Sequence, residues 1–362
     1  MEREYLIPTI IFSILIIATI IIITLILSPK NLIPTQLETC NSLTSNPNAF
    51  NIVFFSTQQQ AQEYSNYLMN SEPYKNYKKS FNFYYIDTYQ PECKLYQGIA
   101  LLCYTKELIK KASSCQNDLI VVIQDKPSNI RSTAYMNVMS LNSAHNKNVF
   151  LHEFGHAFAN LADEYTPATI PRTSKNCVKN CDSFQSLGEC KEGCSDSEHY
   201  RSINNGVMKT LSSSNYGEFN TELILQKIPN AQSKLTSLAI SENIDCNEEK
   251  YILITGNYNQ EEIIIKEKTI ETGCIGTNGV GDYQLNLILQ DDSELKENFN
   301  PELIFTDIQQ DTDLSGGAIS NTGEFYLKIP KIEDSKTLEI SKDNQLLAQT
   351  DFNKIGAMPC KI

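Results

Sequence analysis

The stretch FLHEFGHAFANLADEY, residues 150–165, holds two of the four histidines of the chain, four residues apart around a glutamate. On an α-helix, residues i and i+4 lie on one face, so His152 and His156 can direct both imidazoles at one point. In this HExxH arrangement two neutral imidazoles hold zinc, and the glutamate accepts a proton from metal-activated water. The pattern predicts a Zn²⁺ site with Glu153 as the general base.

The alternative for this stretch is a chance HExxH on an ordinary amphipathic helix. Half of the histidines in the chain fall within five residues, and Phe154, Phe158 and Leu161 make the surrounding helix apolar. Unpaired polar groups on the buried side of such a helix would be costly. Carboxylates also follow the second histidine at a useful distance, and together these features favour a metal site.

A catalytic zinc ion takes three protein ligands and keeps one position open. Asp163 follows His156 by seven residues, which in a continuous helix would place its Cα about 10 Å farther along the axis. It can reach the same metal only if the chain turns back, and Asn160 tolerates the left-handed conformation that such a turn needs. Asp163 is therefore one candidate for the third ligand. Glu164 is the alternative ligand, and His199 is a further option in a Cys-rich loop.

Strand-like and helix-like segments alternate before this helix. Buried strands are predicted at 51–56, 81–87 and 118–125, with amphipathic helices at 58–70 and 104–114 between them. Strands separated by helices indicate a mixed α/β layer. The segment ELILQKI, residues 222–228, is interpreted as the last helix of this unit.

The pattern of apolar and turn residues changes from about residue 248. Short apolar runs alternate with turn residues such as GN, DD, SGG and TG. Seven runs at this spacing predict a β-sandwich, to which we assign a packing or binding role without chemistry. The runs are KYILITGNY, EEIIIKEKTIE, YQLNLILQD, PELIFTDIQ, GEFYLKIP, KTLEISKD and QLLAQTDF.

The N-terminal residues 6–28, LIPTIIFSILIIATIIIITLILS, contain no charged side chain. A helix of this length crosses a hydrocarbon core of about 30 Å. A cleavable signal peptide is the rival interpretation, but its apolar core would span only about 7–15 residues and end at a small-residue cleavage site. The pattern favours an uncleaved membrane anchor in residues 1–28, and the polar residues 29–48, with three prolines, are interpreted as a linker.

Four of the eleven cysteines lie in NCVKNCDSFQSLGECKEGC, residues 176–194, as two CxxxC pairs eight residues apart. A zinc knuckle is the alternative in a reducing compartment. Because these cysteines follow a predicted membrane anchor, disulfides among them are the better interpretation. Disulfides are typical of oxidising compartments, so they indicate that the body of the chain lies outside the cell. The odd total leaves at least one thiol unpaired. The four cysteines are Cys177, Cys181, Cys190 and Cys194.

The stretch HEFGHAFANLADEY resembles the IgA-specific metallopeptidase family, whose members carry a closely similar HEFGH...LADEY sequence. The segments NIVFFS, EPYKNYKKSFNFYYID and DLIVVIQD are similar to the strands of that family in the same order. After the helix, CKEGC...HYRSINNGVM is similar to the loop that leads to a turn ending in methionine. The resemblance covers roughly residues 50 to 230, and the LADEY extension makes it more specific than HExxH alone.

This resemblance implies a metzincin-like fold with a methionine turn beneath the metal, and Met208 in NNGVMKT matches that turn. An ordinary core methionine is the alternative role for Met208. The chain departs from the usual metzincin pattern, because Ala159 replaces the helix-breaking glycine and Ala162 occupies the position of the third ligand. The LADEY register moves the third ligand to Asp163.

The expected fold class is therefore an α/β (α+β) metzincin-like zinc peptidase domain, followed by an all-β sandwich domain, with one N-terminal transmembrane helix. The peptidase domain is expected over residues 49–240 and the sandwich over 248–362. The expected location is the cell membrane, crossed once, with the catalytic domain extracellular.

The expected function is a membrane-anchored extracellular zinc metalloendopeptidase acting on protein or peptide substrates, with the lipid bilayer as a partner through residues 6–28. The alternative is a surface-binding or adhesive protein with a degenerate peptidase domain, and a non-peptidase zinc hydrolase is a third hypothesis. The net charge of −13 without a basic cluster makes nucleic acid an unfavoured partner.

Overall fold

The structure is a computed structural model that describes residues 37–229, 245–259, 262–306 and 317–352. Its strands are β1 Asn41–Ser42, β2 Phe50–Phe55, β3 Phe81–Ile86, β4 Lys94–Tyr96, β5 Ala100–Leu102, β6 Leu119–Gln124, β7 Thr133–Tyr135, β8 Val138–Asn142, β9 Lys191–Cys194, β10 Asp196–Arg201, β11 Lys250–Asn259, β12 Glu262–Thr272, β13 Tyr283–Leu289, β14 Glu294–Phe299, β15 Leu303–Thr306, β16 Ala318–Ile319, β17 Thr322–Pro330, β18 Ser335–Lys342 and β19 Gln345–Asp351. Its α-helices are α1 Gln58–Asn70, α2 Lys106–Ala112, α3 Asn148–Ala159 and α4 Glu218–Leu225. Short 3₁₀ turns lie at Tyr74–Asn76, Lys78–Ser80 and Cys181–Phe184.

The largest sheet has eight strands in the order β1-β3-β2-β6-β8-β7-β15-β16. Strands β3, β2, β6 and β8 pair in parallel, and the outer strands pair antiparallel. The parallel strands are continuous apolar runs, such as the buried residues 52–55 and 119–124, because both faces of such strands are covered. Helix α3 packs on β7, β8 and β15, so the candidate metal ligands lie beside one end of the strand order.

Two smaller sheets follow in the C-terminal part, with the orders β12-β11-β17 and β14-β13-β18-β19. Alternate residues of β13 are buried, including Tyr283, Leu285 and Leu287, as expected of strands with one covered face. Their apolar residues join one hydrophobic core with Val53 and Ile120 of the largest sheet. The C-terminal strands are thus packed against the part of the chain that carries the HExxH helix.

The fold class expected from the sequence is wrong. The described chain is mostly β with four α-helices, and it is not clearly metzincin-like. Strand β15 pairs antiparallel with β7, so the C-terminal region contributes to the largest sheet and does not simply follow it as a separate sandwich. Each of the seven C-terminal runs does contain a strand. Apolar alternation identifies a strand but not the sheet that it joins, since pairing depends on residues far apart in sequence.

The transmembrane helix and the single-pass location at the cell membrane are also corrected. No helix in the described ranges is long and apolar enough to cross a bilayer. Residues 6–28, where the anchor and its contact with lipid were expected, lie outside the described residues. The disulfides of the described part are compatible with an extracellular protein.

Within the range expected to be a linker, residues 37–48 take part in the fold. Strand β1 pairs antiparallel with β3, and Cys40 forms a disulfide with Cys115 just after α2. The described residues contain five disulfides, and the eleventh cysteine, Cys360, lies outside them. The other four disulfides are Cys93–Cys103, Cys177–Cys194, Cys181–Cys190 and Cys246–Cys274.

We expect the connectivity of the Cys-rich segment to be nested, with Cys177 bonded to Cys194 and Cys181 to Cys190. Trypsin cleaves after Lys175, Lys179, Lys191 and Arg201. Digestion of the alkylated, unreduced protein should therefore give NCVK cross-linked to EGCSDSEHYR, together with NCDSFQSLGECK containing an internal disulfide. Mass spectrometry before and after reduction measures both products. A cross-link between NCVK and NCDSFQSLGECK would contradict this connectivity.

Candidate metal centre

Helix α3 positions the two histidines, and the turn at its end returns the chain towards them. All of its residues are buried, and Phe154 and Phe158 stack one turn apart on its apolar side. The helix ends at Ala159, where Asn160 takes the left-handed conformation with φ 53° and ψ 38°. The backbone N–H of Asn160 donates to the His156 carbonyl at 3.0 Å, and that of Leu161 donates to the Gly155 carbonyl at 3.1 Å. These bonds close the helix and reverse the chain.

The reversal brings Asp163 against both imidazoles. Its Oδ1 lies 3.1 Å from His152 Nε2 and 3.2 Å from His156 Nε2. The two Nε2 atoms are themselves 3.1 Å apart. Three potential ligand atoms therefore form a nearly equilateral triangle, and this is the His/Cys/Asp/Glu group in the described residues that could hold a metal ion.

Each imidazole is oriented by a backbone carbonyl on its far side. The Nδ1 of His152 lies 2.9 Å from the Val207 carbonyl, and that of His156 lies 2.6 Å from the Leu161 carbonyl. Because a carbonyl only accepts, both Nδ1 atoms donate, which leaves the Nε2 lone pairs directed at the shared point. Partners of this kind fix the tautomer and orientation of metal-binding histidines.

The geometry fits a tetrahedral ion. With ligand bonds of about 2.0–2.1 Å, neighbouring ligand atoms lie roughly 3.3 Å apart, close to the separations of 3.1–3.2 Å in this triangle. Neither oxygen of the fully buried Asp163 carboxylate has a conventional hydrogen-bond donor among the described groups, apart from the ring nitrogens. Two imidazoles and one carboxylate form a donor set that zinc prefers, although other divalent transition metals accept it.

The segment that carries Asp163 is held on both edges by the Cys-rich region. The backbone N–H of Ala162 donates to Ser174 Oγ at 2.9 Å and to Asn176 Oδ1 at 2.7 Å, and Asn176 Nδ2 donates back to the Ala162 carbonyl at 2.9 Å. Ser195 Oγ donates to the Asp163 carbonyl at 2.6 Å. The Cys177–Cys194 disulfide joins the segment with Ser174 and Asn176 to the segment with Ser195, and these two segments form a clamp that stabilises the position of Asp163.

The alternative ligands lie elsewhere. Glu164 Oε1 accepts from Asn220 Nδ2 at 2.7 Å, and burial raises the pKa of its carboxyl to about 7 despite that bond. Its backbone N–H donates to the Met208 carbonyl at 2.8 Å, so this residue links the segment that carries Asp163 to the turn at Met208. His199 is paired through Nδ1 with Asp196 at 2.7 Å. Neither side chain belongs to the triangle of ligand atoms.

Met208 lies beneath the helix rather than in the ligand set. A Cβ added at Gly155 would approach Met208 Sδ to 2.6 Å, so only glycine allows the helix and this methionine to pack so closely. The turn over residues 206–210 is closed by N–H donation from Lys209 and Thr210 to the Gly206 carbonyl, both at 2.9 Å. Through the Val207 carbonyl this turn supports His152, which is a connection that the sequence does not reveal.

Two aromatic rings cover the imidazoles. Phe305 of β15 stacks on His156 with ring centroids 3.9 Å apart, and Tyr165 lies nearly parallel to His152 at 6.4 Å. The Tyr165 hydroxyl donates to the Thr306 carbonyl at 2.9 Å. His152, Glu153, His156 and Asp163 are at most 1% exposed. Sequence reasoning anticipated that His152, His156 and Asp163 come together but missed this cover, because β15 lies about 140 residues farther along the chain.

Opposite charges face each other within the metal-free triangle of ligand atoms. Burial alone raises the pKa of Asp163, but the two imidazoles outweigh it and hold the pKa at about 2. Burial lowers the pKa of His152, yet Asp163, Glu153 and the Val207 carbonyl outweigh it and raise that pKa to about 9. The pKa of His156 stays below its usual value because of burial. One proton on His152 thus neutralises Asp163 near pH 7.

We expect Asp163, and not Glu164, to be required for metal binding. Asp163→Asn keeps the shape but removes the negative charge from the triangle, whereas Glu164→Gln changes a side chain that does not reach it. Since even indirect partners of metal ligands are worth about 10–100-fold in affinity, the Asn variant should lose more than about 100-fold. Competition with a chromogenic zinc chelator measures this. An equal or larger loss in Glu164→Gln would exchange the two roles.

Metal affinity should rise with pH by about tenfold per unit until pH 9. Below that value His152 carries a proton that the metal must displace, and above it the site is already deprotonated. Calorimetry near pH 7.5 in buffers of different ionisation enthalpy should detect the release of one proton per bound Zn²⁺. An affinity that does not change between pH 6 and 8 would contradict a protonated His152 in the metal-free protein.

No protein-family model matches the chain, and no curated protein matches it either. The similarity to IgA-specific metallopeptidases therefore stays an expectation from the stretches quoted above.

Proposed function

We propose that the chain is a zinc-dependent hydrolase that cleaves peptide bonds. The observation that carries this proposal is the triangle of His152 Nε2, His156 Nε2 and Asp163 Oδ1, at separations of 3.1–3.2 Å, beside the buried Glu153. Structural zinc sites use four protein ligands, whereas catalytic sites use three and leave one position for water or substrate. The peptide bond as the reacting group is supported by the sequence resemblance alone.

Each residue of the centre has a distinct role in this proposal. A bound Zn²⁺ polarises the carbonyl under attack and makes water a better nucleophile at neutral pH. His152, His156 and Asp163 hold the ion, while the carbonyls of Val207 and Leu161 keep the imidazoles in the tautomer that can bind it. Glu153 accepts a proton from the attacking water and returns it to the leaving amine. Glu153 follows His152 directly on the same helix and is fully buried.

The burial of the centre favours a second candidate function, a structural metal site. All four polar residues are at most 1% exposed, and aromatic rings cover both imidazoles. A peptide can therefore reach the centre only if the covering side chains move. Hydrolysis remains the better-supported function, because a structural site does not need a carboxylate such as Glu153 next to a set of three ligands.

An adhesive protein with a degenerate centre is supported less well. Degeneration removes ligands or disturbs their orientation, whereas here the three ligand atoms converge and two backbone carbonyls orient the rings. Zinc content of the purified protein separates the two hypotheses, since an adhesive protein with a degenerate centre would not retain stoichiometric metal.

We expect Glu153→Gln to keep its zinc and its fold but to lose at least about 10²-fold in hydrolysis, the lower range for removing a general base. Glutamine keeps the shape and one acceptor oxygen. Cleavage-site profiling with a proteome-derived peptide library, with and without a chelator, measures the activity. The cleavages lost in Glu153→Gln should be those that the chelator abolishes.

The matched control is Glu92→Gln, which removes an exposed carboxylate between β3 and β4. It should retain both zinc and activity. If Glu153→Gln keeps its zinc and cleaves at the wild-type rate, the proposed mechanism is wrong. If wild-type protein with stoichiometric zinc cleaves no library peptide, the structural-site candidate replaces the hydrolase.

A further inference from the structure

A cavity of about 570 Å³ lies at the C-terminal end of α3, where Ala159 and Asn160 form part of its wall. This volume is within the range of about 300–1,000 Å³ that is typical of ligand sites. A narrow crevice lined by His156 and Phe305 shares Asn160 and Val280 with it. The cavity is therefore next to the metal helix, but none of the ligand residues lines it.

The lining of this cavity is cationic in an acidic protein. Lys175, Lys227 and Lys296 contribute to the wall, and Glu297 is the carboxylate among the lining residues. Lys296 pairs with Glu294 at 2.6 Å, while within the described ranges Lys175 and Lys227 take part in no ion pair. The chain as a whole carries a net charge of −13, whereas the wall of this cavity contains three lysines and one glutamate.

Glu297 opposes an incoming anion only weakly. Burial raises the pKa of its carboxyl to about 7, so a substantial fraction is neutral near physiological pH. Its Oε2 also accepts a hydrogen bond from Asn278 Nδ2, and the same amide donates to the Lys328 carbonyl at 2.9 Å. The carboxyl group is thus held by the protein, and the lysines determine the sign of the charge that the cavity offers.

One short segment connects the cavity to the third metal ligand. Thr173 and Lys175 line the cavity, and Thr173 Oγ1 accepts from Asn160 Nδ2 at 2.8 Å. The intervening Ser174 and the following Asn176 hold the backbone of Ala162, next to Asp163. Along residues 173–176, the side chains of the first and third residues therefore line the cavity, and those of the second and fourth hold the segment that carries Asp163.

We propose that this cavity binds an acidic peptide segment through Lys175 and Lys227 and serves as a recognition site for substrates rich in glutamate or aspartate. The binding part stands on the cavity itself, and the substrate part rests on the proposed hydrolase function. Carboxylates pair with lysine as a point charge without strict geometry, which suits a wide cavity with flexible cationic side chains. Contact with residues 173–176 gives bound peptide a direct connection to the clamp on Asp163.

The test uses full-length zinc-loaded protein with acetylated tetraglutamate as the probe, tetraglutamine as the neutral control and inorganic phosphate as the free-anion control. The variant Lys175→Glu/Lys227→Glu should bind tetraglutamate at least about tenfold more weakly, because repulsion replaces attraction. The matched control, Lys79→Glu/Lys94→Glu, makes the same change of net charge at exposed lysines that do not line the cavity. Zinc content of each variant verifies that the centre is intact.

Calorimetric binding does not depend on catalysis, so it separates this inference from the hydrolase proposal. We expect wild type and the matched control to bind tetraglutamate with affinities within twofold of each other. Both affinities should be lower at high salt, and neither protein should show measurable binding of tetraglutamine. No binding of tetraglutamate, equal loss in both variants, or binding of phosphate without the peptide would overturn the recognition site. If peptides are cleaved, kcat/KM for acidic substrates should fall in Lys175→Glu/Lys227→Glu because KM rises, and it should not fall in the matched control. An unchanged KM in the cavity variant would contradict the substrate role.

Discussion

Three electron-rich atoms within 3.2 Å of one another in a buried space form the constraint on which the rest of the centre depends. Two imidazole lone pairs and a carboxylate repel one another in a medium of low dielectric constant unless a cation or a proton lies between them. The protein resolves this with one proton when no metal is bound, as the raised pKa of His152 indicates. Binding of a metal would then exchange that proton for a divalent ion, which would couple affinity to pH and to local folding.

The three candidate ligands lie within twelve consecutive residues, but the groups that hold them in place come from three distant parts of the chain. The Cys-rich region clamps the segment at Ala162, the turn at residues 206–210 orients His152, and β15 covers His156. The disulfide Cys177–Cys194 limits how far the clamp can open. A ligand set that is local in sequence is therefore rigid only in the folded chain, and the C-terminal strands belong to the centre in a structural sense.

Local rules explain which features could be predicted from the sequence. Helix α3 follows from apolar spacing, and the reversal at Asn160 follows from the tolerance of asparagine for the left-handed conformation, so the position of Asp163 beside the histidines could be anticipated. The sheet partners could not, because β7 and β15 are separated by more than 160 residues and nothing in either sequence specifies the other. The carbonyls of Val207 and Leu161 were also beyond prediction, since any residue offers the same backbone acceptor. The predicted fold class was wrong for the same reason, because the sequence pattern identifies single strands but not how they assemble into sheets.

The cover over the centre is concentrated on one short strand. Phe305 stacks on His156, and the next residue, Thr306, accepts the hydrogen bond of Tyr165, whose ring lies over His152. Strand β15 pairs with β7 at three positions and with β16 at two, and the side chains of Leu303, Ile304 and Phe305 are buried. A movement of residues 303–306 would remove the Phe305 ring from His156 and break the hydrogen bond that holds the Tyr165 hydroxyl. A buried centre is thus consistent with hydrolysis if access is controlled at β15, and that movement has to break pairing on both edges of the strand and expose its apolar side chains.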